Sequence, residues 1–166
     1  QFRSSAASDV YKRQAAGGEV KKSSNGSHIG IAFDIELNPN GQRHPIYKGK
    51  NNKFCSPAFN FDEVVTLPKD AILLASNNIN KISSISFNHE KSEIWGIQYH
   101  PEIKYEKMIE LIKFRKDRLI NQRKAFKSYD EIDHHISLIK NELSKSEINH
   151  RTVSYTHLTL PTTGIV

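Results

Sequence analysis

The chain has 166 residues, 37% hydrophobic and 25% charged, with one Cys, one Trp, eight Gly and six Pro. At roughly 100–200 residues per domain this length suits one domain. The apolar share supports a modest core and argues against wholesale disorder, although a mean hydropathy of −0.58 is on the polar side. No run of about 18 apolar residues occurs, and no charged start leads into an apolar stretch with a small-residue cleavage site. Neither a membrane span nor a secretion signal is indicated. One cysteine excludes an internal disulfide and a Cys-only zinc site, which points to a reduced, cytoplasmic setting.

The formal charge of +6 comes from 24 basic and 18 acidic residues. The basic residues are mostly Lys, scattered and interleaved with Glu or Asp, as between Lys104 and Lys127. Arg is sparse, no aromatic-plus-Arg stripe appears and no Gly-rich phosphate loop is present. A solvated Lys-rich surface therefore explains the charge better than a nucleic-acid groove.

Residues 1–14 (QFRSSAASDVYKRQ) and 152–166 (TVSYTHLTLPTTGIV) carry no helical stripe and do not lead into their neighbours. Both resemble translated adapter sequence and are set aside as non-native. Without Arg3, Lys12, Arg13 and Asp9 the charge excess falls to four. Residues 15–151 form the informative part.

Ala15 to Gly18 reads as a helix end running into a turn, with Gly at the left-handed position. Glu19–Lys22 starts a short strand. His28–Leu37 (HIGIAFDIEL) is rich in β-branched and aromatic residues and predicts a second. Asn38-Pro39-Asn40-Gly41 is a turn cluster. His44–Lys50 can form one helical turn before a polar loop. Phe59–Leu67 alternates as a strand and stops at Pro68. Ala71–Ala75 is a short apolar strand, and Ile82–Phe87 and Ile94–Tyr99 are two more, joined by a polar turn at Asn88–Glu93. The strands are short and mostly antiparallel in expectation.

After Pro101 the period changes. Tyr105, Met108, Ile109 and Ile112 stand at i, i+3, i+4 and i+7, a core-facing helical stripe. Leu119, Ile120 and Phe126 continue it less cleanly. A second helix opens at Tyr129, with Ile132, Ile136, Ile139 and Leu143 on one face. Such stripes mark core, not a cofactor site.

The sharpest chemical feature is Trp95-Gly96-Ile97-Gln98-Tyr99-His100-Pro101-Glu102, at the mouth of the last strand. Proline biases His100 towards extended backbone, and residues i and i+2 of an extended segment project to one side. The His100 imidazole and the Glu102 carboxylate are thus expected to approach each other. A carboxylate beside an imidazole fixes its tautomer and stabilises its charged form, the orienting role in a triad. Histidine, with an unperturbed pKa of about 6.5, then exchanges a proton with a nucleophile near neutral pH. His134-His135 diverge by about 100° on a helix and cannot share a metal. His89-Glu90 lacks the i, i+4 zinc-helix spacing. These, with His28 and His44, are expected on the surface or hydrogen-bonded rather than bound to metal.

Gly96-x-Gln98-x-His100-Pro101-Glu102 resembles the His/Glu motif of class I glutamine amidotransferases. Two further stretches are similar to that family in order and spacing: Ala16-Gly17-Gly18-x-Val20, and Asp62-Glu63-Val64 followed by Leu67-Pro68 and Leu74-Ala75-Ser76-Asn77. Many members carry a His near the position of Asn60, so the chain departs there. The resemblance covers roughly residues 15–145.

The resemblance implies a Cys-His-Glu triad that hydrolyses glutamine to glutamate and ammonia, with His100 as general base and acid and Glu102 as its orienter. The family's nucleophile lies about eleven residues before the Gly-Gly pair, on a Gly-x-Cys-x-Gly elbow. Counting back from Gly17 lands near Ala6, inside a segment read as non-native, so the nucleophile is expected to be missing. Cys55 lacks elbow glycines and reads as a small apolar residue on a loop or strand edge.

The implied fold is the C-terminal portion of a three-layer, flavodoxin-like α/β domain: a mixed sheet with an antiparallel strand group and two C-terminal helices. The implied partners are glutamine and a synthetase domain or subunit that takes the ammonia, as in GMP synthase, with no cofactor, metal, nucleic acid or membrane. Two other functions stay open: a γ-glutamyl amide hydrolase without a synthetase, and a non-catalytic interaction domain of the same fold.

Overall fold

The computed structural model describes residues 18–89 and 91–150; residues 1–14 and 152–166 lie outside them, as does the helix end expected before Gly18. Among the described residues nine strands come first: β1 (Glu19–Lys22), β2 (His28–Ile29), β3 (Ala32–Leu37), β4 (Lys53–Ser56), β5 (Phe59–Asn60), β6 (Asp62–Thr66), β7 (Ile72–Ser76), β8 (Ser84–His89) and β9 (Ser92–Ile97). A short helix α1 (Pro39–Arg43) and a 3-10 turn (Pro45–Tyr47) separate β3 from β4. Helices α2 (Tyr105–Asn121) and α3 (Tyr129–His150) follow. The strands β4-β3-β7-β8-β9 form one sheet in that order; β1 pairs with β6 and β2 with β5. Every one of these pairings is antiparallel. The antiparallel group and both C-terminal helices stand where the sequence predicts them.

The run from His28 to Leu37 is not one strand. Gly30 takes φ +83°, and a Cβ there would lie 2.6 Å from Ile112 Cδ1 and 2.8 Å from Ile139 Cδ1. The break lets bare backbone press against both helices. Asp34, at φ 52°, marks a second irregularity, where the β3–β4 register shifts between Ala32 and Ile35. Phe59–Leu67 divides in a similar way into β5 and β6. The sequence does not predict β4, because a single aromatic in Lys53-Phe54-Cys55-Ser56 gives little alternation; pairing with β3 makes it a strand.

Three buried clusters hold the fold. Ile29 and Ile31 pack with Ile109, Ile112, Leu119, Ile132, Ile136 and Ile139 of the helices. Ala32, Ile35, Leu37, Tyr47, Ala58, Leu74, Ala75 and Tyr99 form a second cluster, joined by Phe54 and Ile97. Val64, Ile82 and Ile85 form a smaller third, with Val20, Leu67, Leu73 and Phe87 around it. Period-2 alternation separates the first two: Phe33 and Cys55 join the helix-side cluster, whereas their neighbours Ala32 and Phe54 join the second.

The Asn38–Gly41 cluster opens a helix rather than a turn. Asn38 caps α1 by accepting the Gly41 N–H at 2.9 Å, and Pro39 takes the first helical position. Asn38 also donates from Nδ2 to Leu73 O at 2.7 Å and from its backbone to Leu74 O at 3.0 Å, tying α1 to β7. Gly41 is required by proximity, since its Cβ would stand 2.1 Å from Leu74 O. Gly41→Ala must therefore shift backbone, and a loss of about 3 kcal/mol is expected in denaturant unfolding, at the upper end of overpacking costs.

His28 is buried, and desolvation lowers its pKa from 6.5 to about 4 against a weaker opposing hydrogen bond at the Ile31 backbone. Asn77 Oδ1 accepts N–H bonds from Ile79 and Asn80, so its Nδ2 must face His28 Nε2, 3.3 Å away, and donate to it. The imidazole is held neutral. Between pH 6.5 and pH 4 the unfolded chain binds this proton and the folded chain does not, so stability falls as pH drops through that window. The loss should total about 3 kcal/mol, and His28→Gln should flatten that part of a pH–stability profile.

Candidate active site

The β8–β9 pairing carries the chain to Ile97, opposite Ser84. Gln98 N–H then donates to Ser83 O at 2.9 Å, and Gln98 Oε1 accepts from Asn80 Nδ2 at 2.5 Å. Tyr99 is buried in the second cluster. His100 N–H donates to Pro57 O at 2.7 Å, fixing the strand exit to the β4–β5 connection.

His100 and Glu102 meet as expected, with Nδ1 2.9 Å from Glu102 Oε1. The local reason differs from simple extension. Ile103 N–H donates to His100 O at 3.1 Å, closing a turn with Pro101 at its second position. Proline suits that position because its φ is preset. The turn brings the two side chains round to each other, and α2 begins two residues later.

An ionised carboxylate only accepts hydrogen bonds, so the neutral imidazole bonded to it carries its proton on Nδ1. Nε2 is then the unprotonated nitrogen, available as a base. The His100 side chain is 18% exposed and that of Glu102 65%. So exposed a carboxylate orients the ring more than it adds stability. Glu102→Ala should therefore shift imidazole protons towards Nε2, read as exchange of the two 15N shifts in long-range 1H–15N spectra of His100 at neutral pH.

Cys55 has other neighbours. It packs with the helix-side cluster, and its thiol is pushed up chiefly by burial, with the Glu142 carboxylate adding to the rise and the Asp34 backbone opposing it. Tyr105 packs against the same cluster. A thiol held protonated among apolar groups and a carboxylate is a poor nucleophile. Asn60, at the position where the family often has His, donates from Nδ2 to Asp62 O at 3.0 Å.

Two further histidines, His44 and His135, are engaged elsewhere. His44 Nε2 lies 3.0 Å from Glu93 Oε1, His135 Nε2 donates to Ile29 O at 2.6 Å, and His134 is exposed on α3. The side chains of His89 and Glu90 lie outside the described residues. Among the described residues, no three His, Cys, Asp or Glu gather as a metal site, and no helix is long and apolar enough to cross a membrane. Sequence reasoning missed the Pro57 carbonyl, a backbone acceptor that no residue type signals.

A sequence model of the family "Glutamine amidotransferase class-I" matches residues 13–116, which include the whole His100 turn. The chain belongs to that family. Two curated relatives are each 37% identical to this family member. One is a γ-glutamyl-L-1-hydroxyisopropylamide hydrolase of Pseudomonas sp., over 92 residues that make up 54% of this chain and 31% of the relative. The other is a glutamine-hydrolysing GMP synthase subunit from Methanosphaera stadtmanae, over 89 residues, 54% of this chain and 44% of the relative. The chain thus spans a third to under half of their length. The solved structure of a glutamine amidotransferase from Thermotoga maritima matches 89% of this chain and 60% of its own with a TM-score of 0.53 at 17% identity, a likeness of fold.

Proposed function

We propose that this amidotransferase domain takes part in hydrolysis of the glutamine side-chain amide, with His100 as general base and acid and Glu102 as its positioning partner. The observation that carries the reading is the 2.9 Å contact between His100 Nδ1 and Glu102 Oε1, which leaves Nε2 as the basic nitrogen. The nucleophilic thiol comes from outside residues 18–150, since the one cysteine, Cys55, is half-buried beside the helix-side cluster with its thiol pushed up by burial and by the Glu142 carboxylate. Residues 1–14 and 152–166 are in this reading no part of the natural domain, and residues 15–151 are a portion of it.

Nε2 takes the thiol proton as sulfur attacks the carboxamide carbon, then delivers it to the departing nitrogen, releasing ammonia. The glutamyl thioester so formed is cleaved by water, whose proton returns through Nε2 to the sulfur. Backbone N–H groups near the thiol would hold the oxyanion. The ammonia passes to an acceptor on a synthetase domain or subunit; the likeness to a component of GMP synthase supports this. A second reading has equal support from identity: a hydrolase of γ-glutamyl amides without a synthetase, like the Pseudomonas relative. Both break the same bond. They part on whether adding a synthetase and its nucleotide substrate raises glutaminase turnover.

The test is glutamine hydrolysis by the full-length parent. His100→Ala should lower kcat by about a thousandfold, within the range of a lost acid–base group, and Glu102→Ala by about 10–100-fold. Cys55→Ser should leave turnover unchanged. Retained activity in His100→Ala, or loss of it in Cys55→Ser, overturns the assignment.

A further inference from the structure

The motif around His100 accounts for the imidazole and its carboxylate but not for what holds the loop that bears them. The stretch between β3 and β4 lies against β9 and its exit at two points. At the first, His44 closes the 3-10 turn by accepting the Ile46 N–H on Nδ1 at 3.3 Å. Its Nε2–H is thereby free to donate to Glu93 Oε1 at 3.0 Å. Ser86 Oγ donates to the same carboxylate oxygen at 2.7 Å. The Ser86 and His44 bonds, with the Trp95 side chain, hold the Glu93 carboxyl below its usual range. Trp95 also meets the His44 ring edge-on, with centroids 5.2 Å apart. Glu93 and Trp95 lie on β9, the strand that delivers His100.

At the second point, the Tyr47 and Tyr99 hydroxyls are hydrogen-bonded to each other inside the core, and Phe54 packs on both rings. Tyr47 and Tyr99 are each 6% exposed. Burial pushes both phenols up, so both stay protonated. A buried hydroxyl costs free energy unless it is paired, and phenylalanine would fill the same space without that cost. The pairing therefore selects one relative placement of the 3-10 turn and the residue immediately before His100.

We propose that Tyr47 is a positioning residue for His100: the Tyr47–Tyr99 hydroxyl pair, backed by the His44–Glu93 contact, braces the β9 exit so that the imidazole meets Glu102. The inference rests on His100 as the catalytic base for its functional meaning, although the brace is a property of the loop itself. Three constraints define the ring. The Pro57 carbonyl holds the His100 N–H, the Tyr47 hydroxyl holds the preceding side chain, and Glu102 holds Nδ1. Only the last belongs to the His-Pro-Glu motif.

The test follows the solvent exchange of the His100 Nδ1–H by NMR in the 166-residue chain, normalised to core amides of β7 and β8. Tyr47→Phe should speed that exchange about fivefold, the opening expected from one lost buried hydrogen bond. Tyr99→Phe should do the same, and the double variant should not exceed either single one, because one pair is removed and neither hydroxyl of it is left unpaired. Unchanged Nδ1–H exchange in both single variants, even with lowered melting temperatures, would make the pair a core feature only and overturn the proposal. Multiplying effects would overturn it as well. A separate result, full turnover by His100→Ala in the full-length parent, would remove the catalytic reading and leave the exchange measurement standing.

Discussion

The division of β3 between two clusters is the constraint from which the arrangement follows: Ala32, Ile35 and Leu37 enter one, and Phe33 packs against the other. The helices pack on the side of Phe33 and Cys55, and Tyr47 from the stretch between β3 and β4 packs on the side of Ile35. Ile35 and Ile112 are each fully buried on opposite sides of that division. Gly30 allows the helix side to close tightly, and Gly41 does so for the β3–β4 side, each by lacking a Cβ where a neighbour already stands. β7 pairs with β3, β8 and β9 follow beyond it, and the His100 N–H bond to Pro57 O ties the exit of β9 back to the β4–β5 connection. His100 is at that exit.

The regular parts of this plan are legible in the sequence because each has a simple period. The stripe Tyr105, Met108, Ile109, Ile112 and the set Ile132, Ile136, Ile139 are helical spacings, and most of their members fill the helix-side cluster. Strands β7, β8 and β9 have apolar residues enough to be found within two or three positions. What escapes is decided by distant partners. Lys53–Ser56 becomes a strand through β3, and Gly41 is demanded by Leu74 O, which is remote in sequence and has no local signature. An Asn-Gly pair ordinarily marks a turn; here the Asn38 cap overrides it.

The site shows the same division. His100 and Glu102 can be paired from the spacing around Pro101, because a two-residue offset is local chemistry. The spacing predicts that they approach by extension; they do so instead through a hydrogen-bonded turn, which only the Ile103-to-His100 bond reveals. Pro57 and Tyr47 cannot be anticipated. One contributes a backbone carbonyl, and the other is an ordinary core aromatic until its hydroxyl is seen opposite that of Tyr99.

The family match ends at residue 116, inside α2, whereas the core does not. Leu119, Ile132, Ile136 and Ile139 lie beyond the match and complete the cluster around Ile29, Ile31 and Ile112. His135 reaches back to the Ile29 carbonyl at 2.6 Å. Without α3, Ile112 and Gly30 would face water on one side, and β2 with β3 would lose that cover. The His100 turn thus sits within the stretch that matches the family, and part of the packing that fixes its scaffold sits outside it. Shape complementarity can be met by many apolar residues, but an imidazole opposite a carboxylate cannot, which is why the second is the more recognisable in a sequence.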